Sequence, residues 1–291
     1  MYPSRFRYEA PRSLDQAIEL LRTGGGEAKV LAGGQSLVPL LKLRFAAPEL
    51  LVDINGIPGL DYHRVDADGT LRIGALCRHA DLERSTILPA SRPTMGAAAP
   101  LIADPIVRNR GTLVGSLCHA DPQGDWASVV TALGGHVVAQ GPRGRRSIPV
   151  AEFVSGPFQN VLAHDEVAVE AVLPALQGTP AGGYLKLERR VGDFATAGVA
   201  VAIETSGDLV TRAGIGLTGV GGSTINAVDA AAALTGSPLG ADTIGRAADL
   251  AAEAARPRTD HRGSAAYKRH IVHTFVVRIL TRIADGAERA A

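Results

Sequence analysis

The most informative segment of the chain runs from residue 32 to residue 42 and reads AGGQSLVPLLK. Residues 29–32 predict a buried strand, and Pro39 is typical of the first turn of a helix, where its missing N–H costs nothing. Gly33 and Gly34 permit positive φ and let the backbone come close to a ligand. Consecutive N–H groups in such a turn can converge on an oxyanion without a basic side chain. The segment predicts either a phosphate site or a plain strand-to-helix turn.

A second turn of small residues lies at 109–122 and reads NRGTLVGSLCHADP. Thr112 and Ser116 offer hydroxyl and backbone donors at the spacing of one tight turn. Asp125 begins a predicted helix and lies where a carboxylate can accept a hydrogen bond from a sugar or a ring donor. Two donor-rich turns together indicate a dinucleotide.

Composition and charge narrow the class of protein. The 291 residues suffice for two domains or for one domain of two lobes. Thirty Lys and Arg against 29 Asp and Glu give a net charge of +1, which argues against a nucleic-acid partner or an anionic membrane surface. The first residues lack an apolar signal core, and no run of about 18 apolar residues occurs, so we expect a cytoplasmic protein without a membrane span.

The cysteine content limits the cofactors that the chain can hold. Cys77 and Cys118 are far apart and in no C-x-x-C pattern, so they cannot supply an iron–sulfur cluster or a Cys-rich zinc site. Any cluster must lie on a partner, and we expect no metal on this chain. Both thiols are expected to be small buried groups.

Hydrophobic periodicity and turn residues predict an α+β chain. The Pro/Gly-rich residues 174–183 suggest a domain boundary near residue 177, which separates residues 1–176, with lobes of about 1–55 and 56–176, from residues 177–291. Strands are predicted at 29–32, 50–54, 71–75, 136–139, 184–189, 196–203 and 209–217. Helices are predicted after Ser13 and at 81–85, 93–99, 125–133, 227–234, 241–254 and 265–283.

Three motifs together carry a resemblance to a known family. They are AGGQSLVPLLK at 32–42, RNRGTLVGS at 108–116 and KLERRVGDFA at 186–195. In order and spacing they resemble the FAD-binding medium subunit of the molybdenum hydroxylases, which include the carbon monoxide dehydrogenase and xanthine dehydrogenase flavoproteins. The resemblance covers nearly the whole chain.

The resemblance implies a fold and a function. The fold is α+β and similar to that of vanillyl-alcohol-oxidase-type flavoproteins: two lobes clasp FAD, and a C-terminal domain carries a three-stranded antiparallel sheet with flanking helices. The chain would transfer electrons from [2Fe–2S] clusters on a small subunit to an external acceptor, while substrate is oxidised on a large molybdopterin subunit. A dimer of such heterotrimers is expected, and no catalytic residue is expected on this chain.

The resemblance also assigns residues to the FAD site. Residues 32–36 and 112–116 would line the pyrophosphate, and Ile102, Ala103 and Leu162 would form apolar walls. Lys186 and Phe194 would lie near the isoalloxazine ring, although a surface lysine and a core phenylalanine are the ordinary alternatives. The assigned set is Ala32, Gly33, Gly34, Gln35, Ser36, Leu37, Ile102, Ala103, Thr112, Leu113, Val114, Gly115, Ser116, Asp125, Leu162, Lys186 and Phe194.

One position departs from the family pattern. Val114 stands where two consecutive glycines usually begin, so a Cβ and two methyl groups occupy a place where the backbone normally approaches the ligand. This substitution is compatible with weaker or repositioned FAD. Two alternative functions stay open. One is a flavin-free structural or assembly subunit, in which Val114 closes the pocket; the other is a self-sufficient flavin oxidase, which would require a substrate cavity and a catalytic base.

Other motifs are weaker. Residues 214–219, GIGLTG, fit the dinucleotide fingerprint G-x-G-x-x-G, but no helix is predicted to follow, so a Rossmann site is not expected. Ser116, His119 and Asp121 are too close in sequence for a hydrolase triad. His261, His270 and His273 are expected to be solvated, and residues 143–146 are expected to form a solvated hairpin tip or a partner contact.

Overall fold

The computed structural model describes residues 2–286, so the outer limits of the two predicted domains, residues 1 and 291, lie outside the described residues. Its strands form four sheets. The strands are β1 (Arg7–Glu9), β2 (Ala28–Leu31), β3 (Leu50–Asp53), β4 (His63–Val65), β5 (Leu71–Gly74), β6 (His136–Gly141), β7 (Gly144–Pro149), β8 (Val154–Gly156), β9 (Gln159–Asn160), β10 (Val167–Leu173), β11 (Thr179–Leu187), β12 (Ala197–Ser206), β13 (Leu209–Thr218) and β14 (Ile225–Asn226).

The helices range from one turn to 20 residues. They are α1 (Leu14–Gly24), α2 (Leu37–Leu43), α3 (His79–Glu83), α4 (Leu88–Ser91), α5 (Pro93–Ala98), α6 (Pro105–Arg108), α7 (Leu113–His119), α8 (Asp125–Ala132), α9 (Val150–Phe153), α10 (Val228–Leu234), α11 (Ala241–Ala254) and α12 (Ala265–Ala284). Among these helices, none is both long enough and apolar enough to cross a membrane.

The first sheet has the order β1-β3-β2, and all its strands are parallel. Helix α1 begins at Ser13, whose Oγ accepts a hydrogen bond from the backbone N–H of Gln16 at 3.3 Å, as the sequence predicts. Because β2 and β3 are parallel and Leu31 pairs with Asp53, their carboxyl ends meet at one edge of the sheet. The loop that follows β2 and the turn that follows β3 therefore lie side by side.

The second sheet has the order β4-β5-β10-β6-β7 and is antiparallel. Helix α8 comes just before β6 in the chain and is buried along its whole length, with Trp126 in its first turn. The register of β6 with β7 pairs Gly141 with Gly144, so the predicted hairpin exists but its tip is residues 142–143. Residues 144–146, expected in the tip, belong to β7. Arg146 is not wholly solvated, because its guanidinium pairs with Glu166 at 2.7 Å.

The third sheet has the order β11-β12-β13-β14. The expectation of three strands is wrong in detail, because the two-residue strand β14 pairs with Gly216 and Leu217 of β13. Strand β11 also begins at Thr179 and not at residue 184, so part of the stretch expected to be a linker is strand. Gly182 permits this extension. It pairs with Ala202 of β12, and a Cβ atom at its position would overlap the hydroxyl of Thr94.

The two halves of the chain meet where α8 lies on β13. A Cβ atom on Gly214 would overlap the carbonyl oxygen of Ala132, and one on Gly216 would overlap that of Ser128. The glycines of the GIGLTG motif therefore let a helix pack directly on a strand. Residues 219–224 form a turn that leads from the motif into β14, so the motif lacks the helix that follows a strand in a Rossmann fingerprint.

Candidate functional site

The loop after β2 has the form that the sequence predicts. Gly34 has φ +75°, and α2 follows at once, with Pro39 in its first turn. Among the described residues, nothing accepts a hydrogen bond from the backbone N–H groups of residues 33–37. Five consecutive amides without an acceptor in a partly exposed loop form a strong site for an anion.

The first loop touches the second. A Cβ atom on Gly33 would overlap the carbonyl oxygen of Arg110 and would lie 2.8 Å from the Cα of Gly111. The absence of a side chain at Gly33 thus serves loop-to-loop packing. The structure brings the predicted residues 32–37 and 112–116 to one place.

Two residues that sequence reasoning missed join these loops. Asn55 Nδ2 donates to the carbonyl oxygen of Ala32 at 2.9 Å. Arg78 donates from Nη2 to Asn55 Oδ1 at 2.6 Å and from Nη1 to the carbonyl oxygen of Arg110 at 2.7 Å. The signal at Asn55 was an Asn-Gly turn directly after a strand, which suggested a turn and nothing more. For Arg78 the sequence carried no signal.

The second loop corrects one expectation. Residues 113–116 are not a tight turn but the start of α7, whose N-cap is Thr112. The Thr112 hydroxyl accepts from the backbone N–H of Gly115 at 3.1 Å, so it is used inside the protein. A Cβ atom on Gly115 would come within 2.6 Å of that oxygen, which explains the glycine. Ser116 faces the start of α8, since its Oγ lies 3.8 Å from a Cβ built on Gly124.

Val114 lies in α7 with its side chain in the core. It is 2% exposed and, like Leu113, belongs to the main hydrophobic cluster. Its methyl groups therefore point away from the loop surface, and only the backbone of these two residues can face a ligand. The geometry removes the steric argument against a flavin at this position.

His79 supports the second loop from behind. Its backbone N–H donates to the carbonyl oxygen of Gly111 at 2.9 Å, and its ring packs where a Cβ on Gly111 would lie. Trp126 Nε1 donates to His79 Nδ1 at 3.0 Å, so the imidazole is a neutral acceptor. Burial, together with the positive charges of Arg108 and Arg78, lowers the pKa of His79 to about 4.

Asp125 is part of a buried charged cluster. Its carboxylate accepts from the Tyr184 hydroxyl and from Lys186 Nζ, the latter at 3.2 Å. Burial raises the pKa of the Asp125 carboxyl, and the charge of Lys186 opposes this shift. Lys186 Nζ also lies 3.2 Å from Glu188 and donates to the carbonyl oxygen of Leu101 at 2.6 Å. The cluster ties the turn at 101–103 to β11.

Lys186 is not an ordinary surface lysine, and Phe194 is not an ordinary core phenylalanine. The Lys186 side chain is 1% exposed, so it is not a surface lysine. Phe194 is 50% exposed, so it is not a core phenylalanine. Arg262 Nη1 holds the Phe194 backbone by donating to its carbonyl oxygen at 2.7 Å.

The predicted apolar walls fall in two places. Ile102 is buried, and Ala103, with φ +52°, lies against Gly192 in the loop that carries Phe194. Leu162 lies elsewhere: it follows Asn160, whose Nδ2 donates to the carbonyl oxygen of Cys118 near the end of α7. The structure therefore joins the first two to the Lys186 region and the third to α7.

The remaining candidate residues form no second site. His119 Nε2 lies 4.0 Å from Asp121, and its ring packs on Phe158. His273 pairs with Asp249 at 3.3 Å. Across residues 2–286 no group of three or more His, Cys, Asp or Glu is placed to hold a metal ion. Burial raises the pKa of both cysteine thiols to about 12, which makes them unreactive.

The sequence matches two protein families along its length. Residues 4–176 match the FAD binding domain in molybdopterin dehydrogenase, and residues 183–283 match the CO dehydrogenase flavoprotein C-terminal domain. Together the two matches span most of the chain, in the order that the resemblance implies.

Two relatives are similar in sequence to this chain over nearly its full length. The carbon monoxide dehydrogenase medium chain of Hydrogenophaga pseudoflava is 41% identical, covering 96% of this chain and 97% of its own. The 6-hydroxypseudooxynicotine dehydrogenase complex subunit alpha of Paenarthrobacter nicotinovorans is 39% identical, and the match covers 97% of this chain and 95% of the relative.

A solved structure extends the agreement to the fold. The carbon monoxide dehydrogenase of Hydrogenophaga pseudoflava that lacks the Mo-pyranopterin moiety of its cofactor contains a chain that superposes with a TM-score of 0.93 at 43% identity, covering 99% of both chains. The fold is thus a mixed α/β arrangement of an FAD-binding domain and a C-terminal domain. The chain is an oxidoreductase subunit and belongs to the FAD-binding medium subunits of the molybdenum hydroxylases.

Proposed function

We propose that this chain binds the diphosphate of FAD at the junction of its two glycine loops and transfers electrons from a partner's [2Fe–2S] clusters to an external acceptor. The observation that carries the proposal is the row of unpartnered amides at residues 33–37, because a diphosphate supplies the acceptors that they lack. FAD, when bound, supplies the two-electron chemistry. The chain orients it and keeps one edge open.

Residues at the other end of the site suit the flavin ring. Lys186 is held between Asp125 and Glu188, so a positive charge stays fixed in a buried place. Phe194 presents an exposed aromatic face beside the loop that packs on Ala103. We propose that Lys186 and Phe194 lie near the isoalloxazine ring and that Ile102 and Ala103 are apolar walls beside them. Leu162 is proposed as an apolar wall of the same FAD site on its α7 side.

The finer features of the assembly are also proposals. We propose a fold of the vanillyl-alcohol-oxidase type with a domain boundary near residue 177; the limits of the two family matches support that position. We propose a small iron–sulfur subunit and a large molybdopterin subunit as partners, in a dimer of heterotrimers. The free thiols of Cys77 and Cys118 support a cytoplasmic location, where cysteines stay reduced.

The test is an absorbance spectrum of the purified chain, recorded after desalting and again after FAD is added and excess removed. We expect flavin bands that persist. A colourless chain that binds no FAD, alone or in its complex, would instead support the structural subunit. Turnover of a substrate by the isolated chain would support the self-sufficient oxidase.

A further inference from the structure

One guanidinium connects the two glycine loops. Arg78 lies between β5 and α3, and its Nη1 reaches the second loop directly, at the carbonyl oxygen of Arg110. Its Nη2 reaches the first loop through Asn55, whose Nδ2 holds the carbonyl oxygen of Ala32. The loops therefore touch at Gly33 and are also joined by a path of three hydrogen bonds.

The path is rigid at each step. A guanidinium is planar and keeps its two N–H groups at a fixed separation, which a lysine ammonium cannot do. Asn55 is fixed in turn, because Asp53 Oδ1 accepts from its backbone N–H at 2.9 Å. Asp53 also accepts from the Tyr8 hydroxyl. Asn55 and Arg78 thus set the separation of the loops.

The same place carries positive charge. Burial and the nearby positive charge of Arg110 both lower the pKa of Arg78, and the more distant carboxylates of Asp61 and Asp81 oppose this shift. Within the described part of the chain, no carboxylate forms an ion pair within 4.0 Å of the guanidinium of Arg78 or Arg110. Both cations thus lack a direct ion-pair partner, and the backbone of Arg110 lies beside Gly33 in the loop whose amides have no acceptor. A dianion at this junction would satisfy both.

We propose that Arg78 is a positioning residue of the diphosphate site: it fixes the two glycine loops at their separation and, with Arg110, supplies the positive charge that favours a dianionic ligand. The inference rests on the proposed function, since FAD provides that diphosphate. Arg110 takes part in the path through its carbonyl oxygen and not through its guanidinium. Substitutions can therefore separate the positioning effect from the charge effect.

The experiment measures the dissociation constant for FAD of the full chain after its flavin is removed, between about 50 and about 500 mM NaCl. Asn55→Ala breaks the path and keeps both charges, so we expect binding about 10-fold weaker with an unchanged salt dependence. Arg110→Met keeps the path and removes a charge, so the salt dependence becomes shallower. Arg78→Met does both and weakens binding about 10- to 100-fold.

Controls separate these effects from general damage. Arg145→Met removes an equal charge from the remote β6–β7 hairpin and should change neither quantity. ADP carries the diphosphate without the flavin ring, so each variant should weaken ADP and FAD by the same factor. Arg78→Lys keeps the charge without the planar fork and should retain the salt dependence while binding more weakly.

The outcomes distinguish the two proposals. If the unmodified chain binds no FAD, the proposed function fails. If it binds FAD, and Asn55→Ala and Arg110→Met bind as tightly and with the same salt dependence, only the inference about Arg78 fails. Should Arg78→Met not fold, those two variants still decide, because each changes a different measured quantity.

Discussion

Two glycine motifs of this chain have opposite uses. Residues 214–219 fit the dinucleotide fingerprint better than residues 32–37 do, yet they lie in a strand and at its end, and Gly214 and Gly216 pack against α8. The loop at 32–37 fits no such fingerprint, yet it leaves five amides without an acceptor. A glycine pattern thus indicates a close approach of backbone, and only the partner of that backbone tells whether it is a helix or a ligand.

The largest expected effect is on the packing motif. Gly214→Ala forces a methyl group into the carbonyl oxygen of Ala132, and neither the helix nor the strand can move freely. We expect the free energy of unfolding to fall by more than about 3 kcal/mol, measured by urea unfolding. Gly245→Ala, at a helical glycine with open space around it, is the matched control. Equal stability of the two variants would contradict the packing role.

The next effect concerns Lys186, which joins the turn at 101–103 to the sheet that holds the packing motif. Lys186→Met leaves Asp125 and Glu188 without their cation in a buried place. We expect a loss of about 3 kcal/mol in the free energy of unfolding. Thermal and urea unfolding would measure it, with Lys29→Met on exposed β2 as control. A neutral result would show that the cluster does not stabilise the fold.

The third prediction concerns His79, which supports the second glycine loop by packing against Gly111. Its pKa is about 4 in the folded chain and about 6.5 when unfolded, so the unfolded state binds the extra proton between these values. Stability should therefore rise with pH from about 4 to about 6.5, by about 3 kcal/mol in total. Urea unfolding from pH 4 to 7 tests this. His79→Gln should lose that part of the slope, and parallel profiles would rule out the assignment.

The ligand motif should respond differently from the packing motif. Gly33→Ala pushes the first loop away from Arg110, so we expect FAD affinity to fall about 10- to 100-fold. Stability of the FAD-free chain should fall much less than in Gly214→Ala, because the loop is partly exposed. Fluorescence titration with FAD measures the first quantity and thermal unfolding the second. If Gly33→Ala lost as much stability as Gly214→Ala and kept its FAD affinity, the two motifs would not have different roles.

The smallest effect is expected at the cap of α7. Thr112→Ala removes the oxygen that accepts from Gly115 and should cost about 1 kcal/mol of stability. Thr112→Ser keeps the oxygen and should restore most of it. If instead FAD affinity falls sharply while stability does not, the hydroxyl contacts the ligand and not the helix.

Much of the architecture was predictable from local pattern. Local pattern predicts the strand-loop-helix order around residues 32–42, helix α11 at 241–254 and strand β13, expected at 209–217 and found at Leu209–Thr218. Periodicity, turn residues and caps depend only on near neighbours. The family was predictable as well, because three separate motifs in the right order specify it. The short strands β1 and β14 were missed, since two or three residues carry no period.

Some features of the candidate site also follow from local sequence, and others depend on the folded chain. The glycine loop of residues 32–37 at the end of a strand follows from the sequence alone, because φ, Cβ sterics and helix entry are local properties. The folded chain was needed to show that Val114 points into the core, that Lys186 is buried between carboxylates, and that Arg78 joins the two loops. These facts depend on contacts between residues tens of positions apart, whose energies come from burial and pairing that local pattern does not encode.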